Sequence, residues 1–158
     1  MSTSKKIIAV IGATGYQGGA VVRALQARGD FQVRALTRNP GKHQGLADEV
    51  VEADLSRPET LKPAFEGAYG VFAVTNFWEN GTDEFAQGSA AVSAAKAAGV
   101  QHFVWSTLPN VQKISGGKFD VPHFTDKARI DELVENAGFA YHSFVVAPFF
   151  FQNLNGTL

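Results

Sequence analysis

Gly12, Gly15 and Gly18 stand in Gly12-Ala13-Thr14-Gly15-Tyr16-Gln17-Gly18-Gly19, directly behind the apolar run Ile7 to Ile11. Glycine at these positions lets a backbone turn tightly, approach a pyrophosphate closely and pack the next helix on the sheet. A helix starting there adds free N–H groups and the positive end of its dipole, so Thr14, Tyr16 and Gln17 share the phosphate cradle. The same glycines can also serve a turn alone. What raises the pattern above a bare turn is its setting, with a strand-like run before it and a helical stretch after it. The spacing is GxxGxxG, a variant of the GxGxxG pattern.

The end of the next strand-like run selects between dinucleotides. A carboxylate there holds a ribose 2′-hydroxyl, whereas an arginine accommodates a 2′-phosphate. The run ends Ala35-Leu36-Thr37-Arg38-Asn39-Pro40-Gly41-Lys42, with Arg38 at the selecting position and Lys42 behind it. A 2′-phosphate carries roughly two negative charges, and a guanidinium meets it with paired hydrogen bonds. The expectation is therefore NADP(H) in preference to NAD(H). Without the glycine loop, Arg38 and Lys42 would read as solvated loop cations. After the third run, Asp54 and Leu55 offer a carboxylate for an adenine amino group and an apolar wall for its ring. Asp54 serves equally well as a cap for the helix that follows.

These groups need a scaffold that delivers strand ends to one place. Ile7 to Ile11 is apolar throughout, as a strand buried on both faces must be. Gln32 to Thr37, Glu49 to Ala53, Tyr69 to Val74, His102 to Ser106 and Tyr141 to Val146 are further strand candidates. Helical stretches alternate with them: Gln17 to Arg28 before Gly29, Thr60 to Phe65 after Pro58, Asp83 to Ala98 before Gly99, and Thr125 to Ala137 before Gly138. Such alternation predicts an α/β fold with a doubly wound parallel sheet. Thr107 to Phe124, with Gly116-Gly117 and two prolines, reads as a long loop.

The ending Ala147-Pro148-Phe149-Phe150-Phe151-Gln152-Asn153-Leu154 fits a finished domain poorly. Burying one phenylalanine is worth roughly 1.5–3 kcal/mol, so three in succession call for a cover. Either one or two fold back onto the sheet, or a second unit begins there. The expected division is a nucleotide-binding domain over 1–148 and the start of a truncated substrate-side region over 149–158.

Composition narrows the function classes. The 158 residues amount to about one ordinary domain, with 45% hydrophobic and 18% charged residues. A formal net charge of -1 offers no electrostatic footprint for nucleic acid or an anionic membrane. With no cysteine at all, disulfides, thiolate catalysis and cysteine metal sites are excluded. His43, His102, His123 and His142 lack ligand spacing for a metal. The longest apolar run, Phe144 to Phe151, is too short to cross a bilayer, and no signal peptide is read ahead of the first strand. The sequons at Asn80 and Asn155 are accordingly expected to stay unmodified, and the chain is expected in the cytoplasm.

Four motifs together resemble one family. Gly12-Ala-Thr-Gly-Tyr-Gln-Gly18, Val74-Thr-Asn-Phe-Trp-Glu79, His123-Phe-Thr-Asp-Lys127 and Pro148-Phe-Phe-Phe-Gln-Asn153 look like the NmrA-like family, an atypical branch of the short-chain dehydrogenases. The resemblance spans Ile7 to Leu154. It implies a Rossmann domain followed by a smaller substrate-side domain, in chains of about twice this length. It further implies that Thr75, Asn76 and Phe77 line the ribose and nicotinamide end of NADP(H). Lys127 matches a lysine that bonds the nicotinamide ribose, and Phe150, Phe151, Gln152 and Asn153 match a segment closing over the nicotinamide. Phe77, Trp78 and Trp105 can also be plain packing aromatics.

Typical short-chain dehydrogenases pair a tyrosine with a lysine that lowers its pKa, so that phenolate exchanges a proton with a carbonyl or alcohol. In this chain the corresponding spacing is His123-x-x-x-Lys127, and no tyrosine stands at position 123. Ser106 falls about where the family's serine would be. His123 is chemically able to move a proton near neutral pH, although a lone histidine before a helix also serves as a surface or capping residue. Two functions of different class follow. One is an NADP(H)-binding redox sensor that regulates a partner protein with little or no turnover. The other is an NADPH-dependent oxidoreductase of quinones or small carbonyl compounds.

Overall fold

The computed structural model describes residues 4–79 and 81–155, without the side chains of Gln152 and Asn155. Both sequons therefore fall at least partly outside the described residues. Six strands, β1 (Lys6–Val10), β2 (Phe31–Thr37), β3 (Glu49–Glu52), β4 (Ala68–Ala73), β5 (His102–Thr107) and β6 (Tyr141–Val146), form one sheet in the order β3-β2-β1-β4-β5-β6. Every pairing is parallel. This is the doubly wound Rossmann arrangement that strand–helix alternation predicts, with the strand order of dinucleotide-binding sheets.

The helices are α1 (Tyr16–Arg28), α2 (Leu61–Phe65), α3 (Glu84–Ala97), α4 (Val111–Ile114) and α5 (Pro122–Asn136). Alternation along β1 separates two cores. Ala9 and Ile11 face a cluster with Phe65, Phe103, Trp105, Ile130 and Val134 beneath α2, α3 and α5. Val10 faces the other way, against Val22 of α1 together with Val33, Ala35 and Phe72. Period-two burial on both faces is why the strands read as continuous apolar runs. The predicted helix stops hold as well. Gly29, Gly99 and Gly138 all adopt positive φ, near 71–76°, where glycine ends a helix at no steric cost.

Two departures from the sequence reading bear on the site. Thr107 to Phe124 is not one long loop. It contains α4, whose cap Asn110 accepts a hydrogen bond from the Lys113 amide at 2.9 Å. It also contains the start of α5, where Pro122 occupies the first helical position, a place its missing N–H suits. His123 therefore sits inside the first turn of α5 and not ahead of it. Among the described residues, no helix is long and apolar enough to cross a membrane.

Candidate functional site

In a parallel sheet every strand delivers its carboxyl end to the same edge. The chain runs from β1 outward through β2 to β3, then crosses back to β4, so the carboxyl ends of β1 and β4 flank the point where strand order reverses. The candidate residues gather around that point.

Gly12 turns the chain out of β1 at φ 71°. A Cβ built on Gly12 would come within 2.7 Å of Val74 Cγ1, and one on Gly18 within 2.1 Å of the Gly12 carbonyl oxygen. Gly18 thus lets α1 press against the loop, a contact no other residue permits. Gly15 caps α1 and donates its amide to the Gly12 carbonyl at 2.9 Å. No side chain caps the helix and no acidic residue enters its first turn. The amides of Tyr16, Gln17 and Gly18 have no acceptor among the described residues. The loop therefore presents unspent donors and a positive dipole end to the crevice, a donor set that fits a pyrophosphate.

On the β2 and β3 side lies a cleft of about 360 Å³, lined by Gly12, Thr14, Arg38, Lys42, Asp54 and Leu55, by Asn76, expected at the nicotinamide end, and by the unforeseen Glu79. Arg38 is 63% exposed and is ion-paired with Glu79. That hydrogen bond and charge, helped by Asp54, hold the guanidinium above its ordinary pKa. Asp54 does not cap the helical segments that follow, whose cap residues are Arg57 and Thr60, but closes a local turn. Its Oδ1 accepts from the Ser56 amide at 2.9 Å and its Oδ2 from Arg57 Nε at 3.4 Å, while the residue still lines the cleft.

On the β4 and β5 side a more apolar cleft of about 900 Å³ is lined by Tyr16, Gln17, Thr75, Asn76, Phe77, Trp78, Ser106, His123, Phe124, Lys127, Phe149, Phe150 and Asn153. The structure thus brings together Thr75, Asn76 and Phe77 with Lys127, Phe150 and Asn153. Phe151 does not line the cleft and is 81% exposed. The side chain of Gln152 lies outside the described residues. Trp105 is fully buried beneath the site and belongs to the core, with its indole N–H donating to the Lys127 carbonyl at 3.2 Å.

The three groups considered for proton chemistry have separate partners. Ser106 donates to Gln17 Oε1 at 2.9 Å, tying β5 to the glycine helix. His123 packs among Phe77, Trp78 and Phe124 at centroid distances of 4.8–5.3 Å and has no hydrogen-bond partner among the described residues. Lys127 is buried. Its Nζ bonds the Thr75 carbonyl at 3.1 Å, Thr75 Oγ1 at 2.7 Å and Glu84 Oε1 at 2.7 Å. An ammonium has three protons, so in this arrangement none remains for a ribose. Burial lowers the Lys127 pKa, and the hydrogen bond and charge of Glu84 pull it back.

Glu84 is the residue the sequence hid. Its carboxylate is entirely buried, Oε1 also accepts from Thr75 Oγ1 at 2.6 Å, and Oε2 has no partner among the described residues. In the sequence it reads as an ordinary acidic residue opening a helix, behind the cap Asp83. Glu79 is hidden differently: it stands inside the Val74-to-Glu79 motif, but nothing local ties it to Arg38.

The NmrA-like family model matches residues 4–158. An NmrA-like family domain-containing oxidoreductase of Aspergillus hancockii is 37% identical, over 97% of this chain and 49% of its own length. Among solved structures, NmrA, a negative transcriptional regulator, is 29% identical with TM-score 0.82, over 95% of this chain and 48% of its own. NmrA has also been solved in complex with NAD and with NADP. A quinone oxidoreductase of Escherichia coli, NADPH-dependent and complexed with NADPH, is 25% identical with TM-score 0.75, over 92% of this chain and 50% of its own. The chain spans about half the length of the curated relatives it matches.

Proposed function

Because this chain belongs to the NmrA-like family, we propose that it binds NADP(H) across the β1–β4 crevice and acts as a redox-sensing, regulatory module with little or no turnover. The observation that carries nucleotide binding is the glycine loop, with its unspent amides beside the Arg38 and Lys42 cations. In this reading Gly12 to Gly18 take the pyrophosphate, Arg38 and Lys42 the 2′-phosphate, and Asp54 and Leu55 the adenine. Thr75 to Phe77, Phe150 and Asn153 enclose the nicotinamide end.

The sensing role is supported by the state of the proton-transfer groups. No tyrosine stands at 123, His123 is enclosed by aromatic rings, and Lys127 is neutralised by Glu84 with all its donors spent. NADPH supplies a hydride when bound, but the tyrosine that would pass a proton to the acceptor is missing and the Lys127 ammonium has no free donor. We place the protein in the cytoplasm, with a partner protein as the regulated target. Residues 1–148 form the nucleotide-binding domain and 149–158 begin the substrate-side region, a division supported by the exposure of Phe149 and Phe151 at 60% and 81%.

A second reading, an NADPH-dependent reductase of quinones or small carbonyl compounds, draws on the 900 Å³ apolar cleft and the oxidoreductase relatives. A quinone can collect its protons from water, so it needs no protein acid. Calorimetric titration with NADPH and NADH, repeated on Arg38→Ala, tests the binding. NADPH affinity falling toward the NADH value in the variant is the expected result, and failure of the wild type to bind either nucleotide overturns the proposal. Steady NADPH oxidation with a panel of simple quinones would replace sensing by the second reading.

A further inference from the structure

Arg38 and Glu79 come from loops that follow β2 and β4, the two strands flanking β1. Their ion pair therefore bridges the crevice over the glycine loop, and both residues line the 360 Å³ cleft. Glu79 is held there by a local turn. The Trp78 amide donates to Asn76 Oδ1 at 3.2 Å, and the Glu79 amide to the Asn76 carbonyl at 3.4 Å.

The two side chains want different ribose substituents. A carboxylate accepts a hydrogen bond from a neutral 2′-hydroxyl, whereas a guanidinium is best matched to a phosphate dianion. A 2′-hydroxyl can therefore be received with the Arg38–Glu79 pair intact. A 2′-phosphate brings one and a half to two negative charges, by roughly its second ionisation, up to Glu79 and Asp54. Glu79 already holds the Nη1 corner of the guanidinium, so the phosphate has full use of the Arg38 donors only by displacing that carboxylate. Lys42 lines the same cleft and has no ion-pair partner among the described residues, so it meets the phosphate at no such cost.

Resting on the nucleotide reading above, we infer that Glu79 is a specificity-determining residue, competing with the 2′-phosphate for Arg38 and thereby narrowing the preference for NADP(H) over NAD(H). The pair is solvent-exposed, so its competition is modest: removing the carboxylate tightens NADPH by about fivefold, the upper end for an exposed ion pair. NADH, whose 2′-hydroxyl still finds an acceptor in the amide oxygen of Glu79→Gln, changes by less than about twofold.

The test is calorimetric titration of wild type, Glu79→Gln, Arg38→Ala and the double variant with NADPH and with NADH, each first checked by thermal melting. Glu79→Gln raises the NADPH-to-NADH affinity ratio, and the effect disappears in the Arg38→Ala background because Glu79 acts by occupying the guanidinium. Glu79→Ser serves as a second removal of the charge and shifts the ratio in the same direction. A folded Glu79 variant with the wild-type ratio, or one whose shift survives loss of Arg38, overturns this inference while leaving nucleotide binding in place. A wild type that binds neither nucleotide overturns the nucleotide reading, and this inference falls with it.

Discussion

The two sides of the crevice are built from different materials. The β1–β3 side relies on backbone: glycines, unspent amides and a helix end, with Arg38, Lys42 and Asp54 reaching in from solvent. The β4–β6 side relies on side chains: the buried Lys127–Thr75–Glu84 triad and Trp105, with a partly exposed aromatic cluster around His123. On the first side charges are screened by water, and each interaction is individually weak. On the second a charge out of water is costly, and only its partner makes it tolerable. Ligand recognition can be altered on the first side at little structural cost. On the second, the same side chains line the cleft and hold the fold.

Glu84→Gln is the largest expected break in that contrast. It leaves the Lys127 ammonium buried without a counter-charge, and breaking a buried pair costs about 3–5 kcal/mol. Urea unfolding reads the loss directly. Adding Lys127→Met to the same variant removes the orphaned charge and returns most of the stability, since an apolar replacement of a buried pair is often neutral or better. The pH dependence gives an independent sign. Burial lowers the Lys127 pKa, and loss of Glu84 removes the influence that raises it. The folded state then resists protonation, so the penalty is full below the lowered folded value and is relieved as pH rises from there toward the ordinary lysine value of 10.5. A loss below about 1 kcal/mol would mean that the two sides do not differ in the way described.

Gly18→Ala probes the backbone side, with Gly15→Ala as its control. The Gly18 Cβ would meet the Gly12 carbonyl oxygen and carbon at 2.1 and 2.5 Å, backbone atoms that cannot swing aside. The loop must shift, at about 1–3 kcal/mol for an overpacked site. NADPH affinity falls with it, by about tenfold or more, because a displacement of the loop misaims every amide. At Gly15 the Cβ contact is 3.4 Å, ordinary van der Waals distance, and stability stays within about 0.5 kcal/mol. Thermal melting and titration of both variants separate crowding from the mere presence of a methyl group. Equal behaviour would remove the packing role assigned to Gly18.

What was legible in the sequence follows the same division. The glycine loop, Arg38, Lys42 and the helix-ending glycines announce themselves through local backbone demands, and a local demand is visible in a linear chain. Glu84 and Lys127 lie on separate helices, α3 and α5, and meet only because the sheet order sets those helices together over β4 and β5. Nothing adjacent to either residue encodes that meeting. Lys127 and Thr75 are both legible as candidates and both line the cleft, but their bond to each other and to the buried Glu84, which spends the ammonium's protons, is not. The long loop expected over 107–124 misled for a related reason: glycines and prolines at 109–122 mask a capped turn at Asn110 and a helix start at Pro122, where proline favours the helix.

The smallest expected effect concerns a half-buried carboxylate on the β4–β6 side. Asp131 lies on α5, and its Oδ1 has no hydrogen-bond partner among the described residues. Burial, with added repulsion from Glu135 and Glu132, pushes its carboxyl up to about 6, against the opposing pull of Thr107 and Trp105. The folded value stands above the ordinary 3.8, so the folded state binds the extra proton and stability falls as pH rises from about 4 through about 6. Asp131→Asn removes that loss. The group is about half exposed, so after solvent screening the gain at pH 7.5 is about 1 kcal/mol, vanishing near pH 3.5. Thermal melts of both proteins at the two pH values measure it. A gain at high pH alone marks Asp131 as an unpaired charge that the fold tolerates, beside a Glu84 that the fold requires. Equal melts at both values would mean that the Asp131 carboxyl is as well solvated as those on the β1–β3 side, and the contrast would then rest on the Lys127 triad alone.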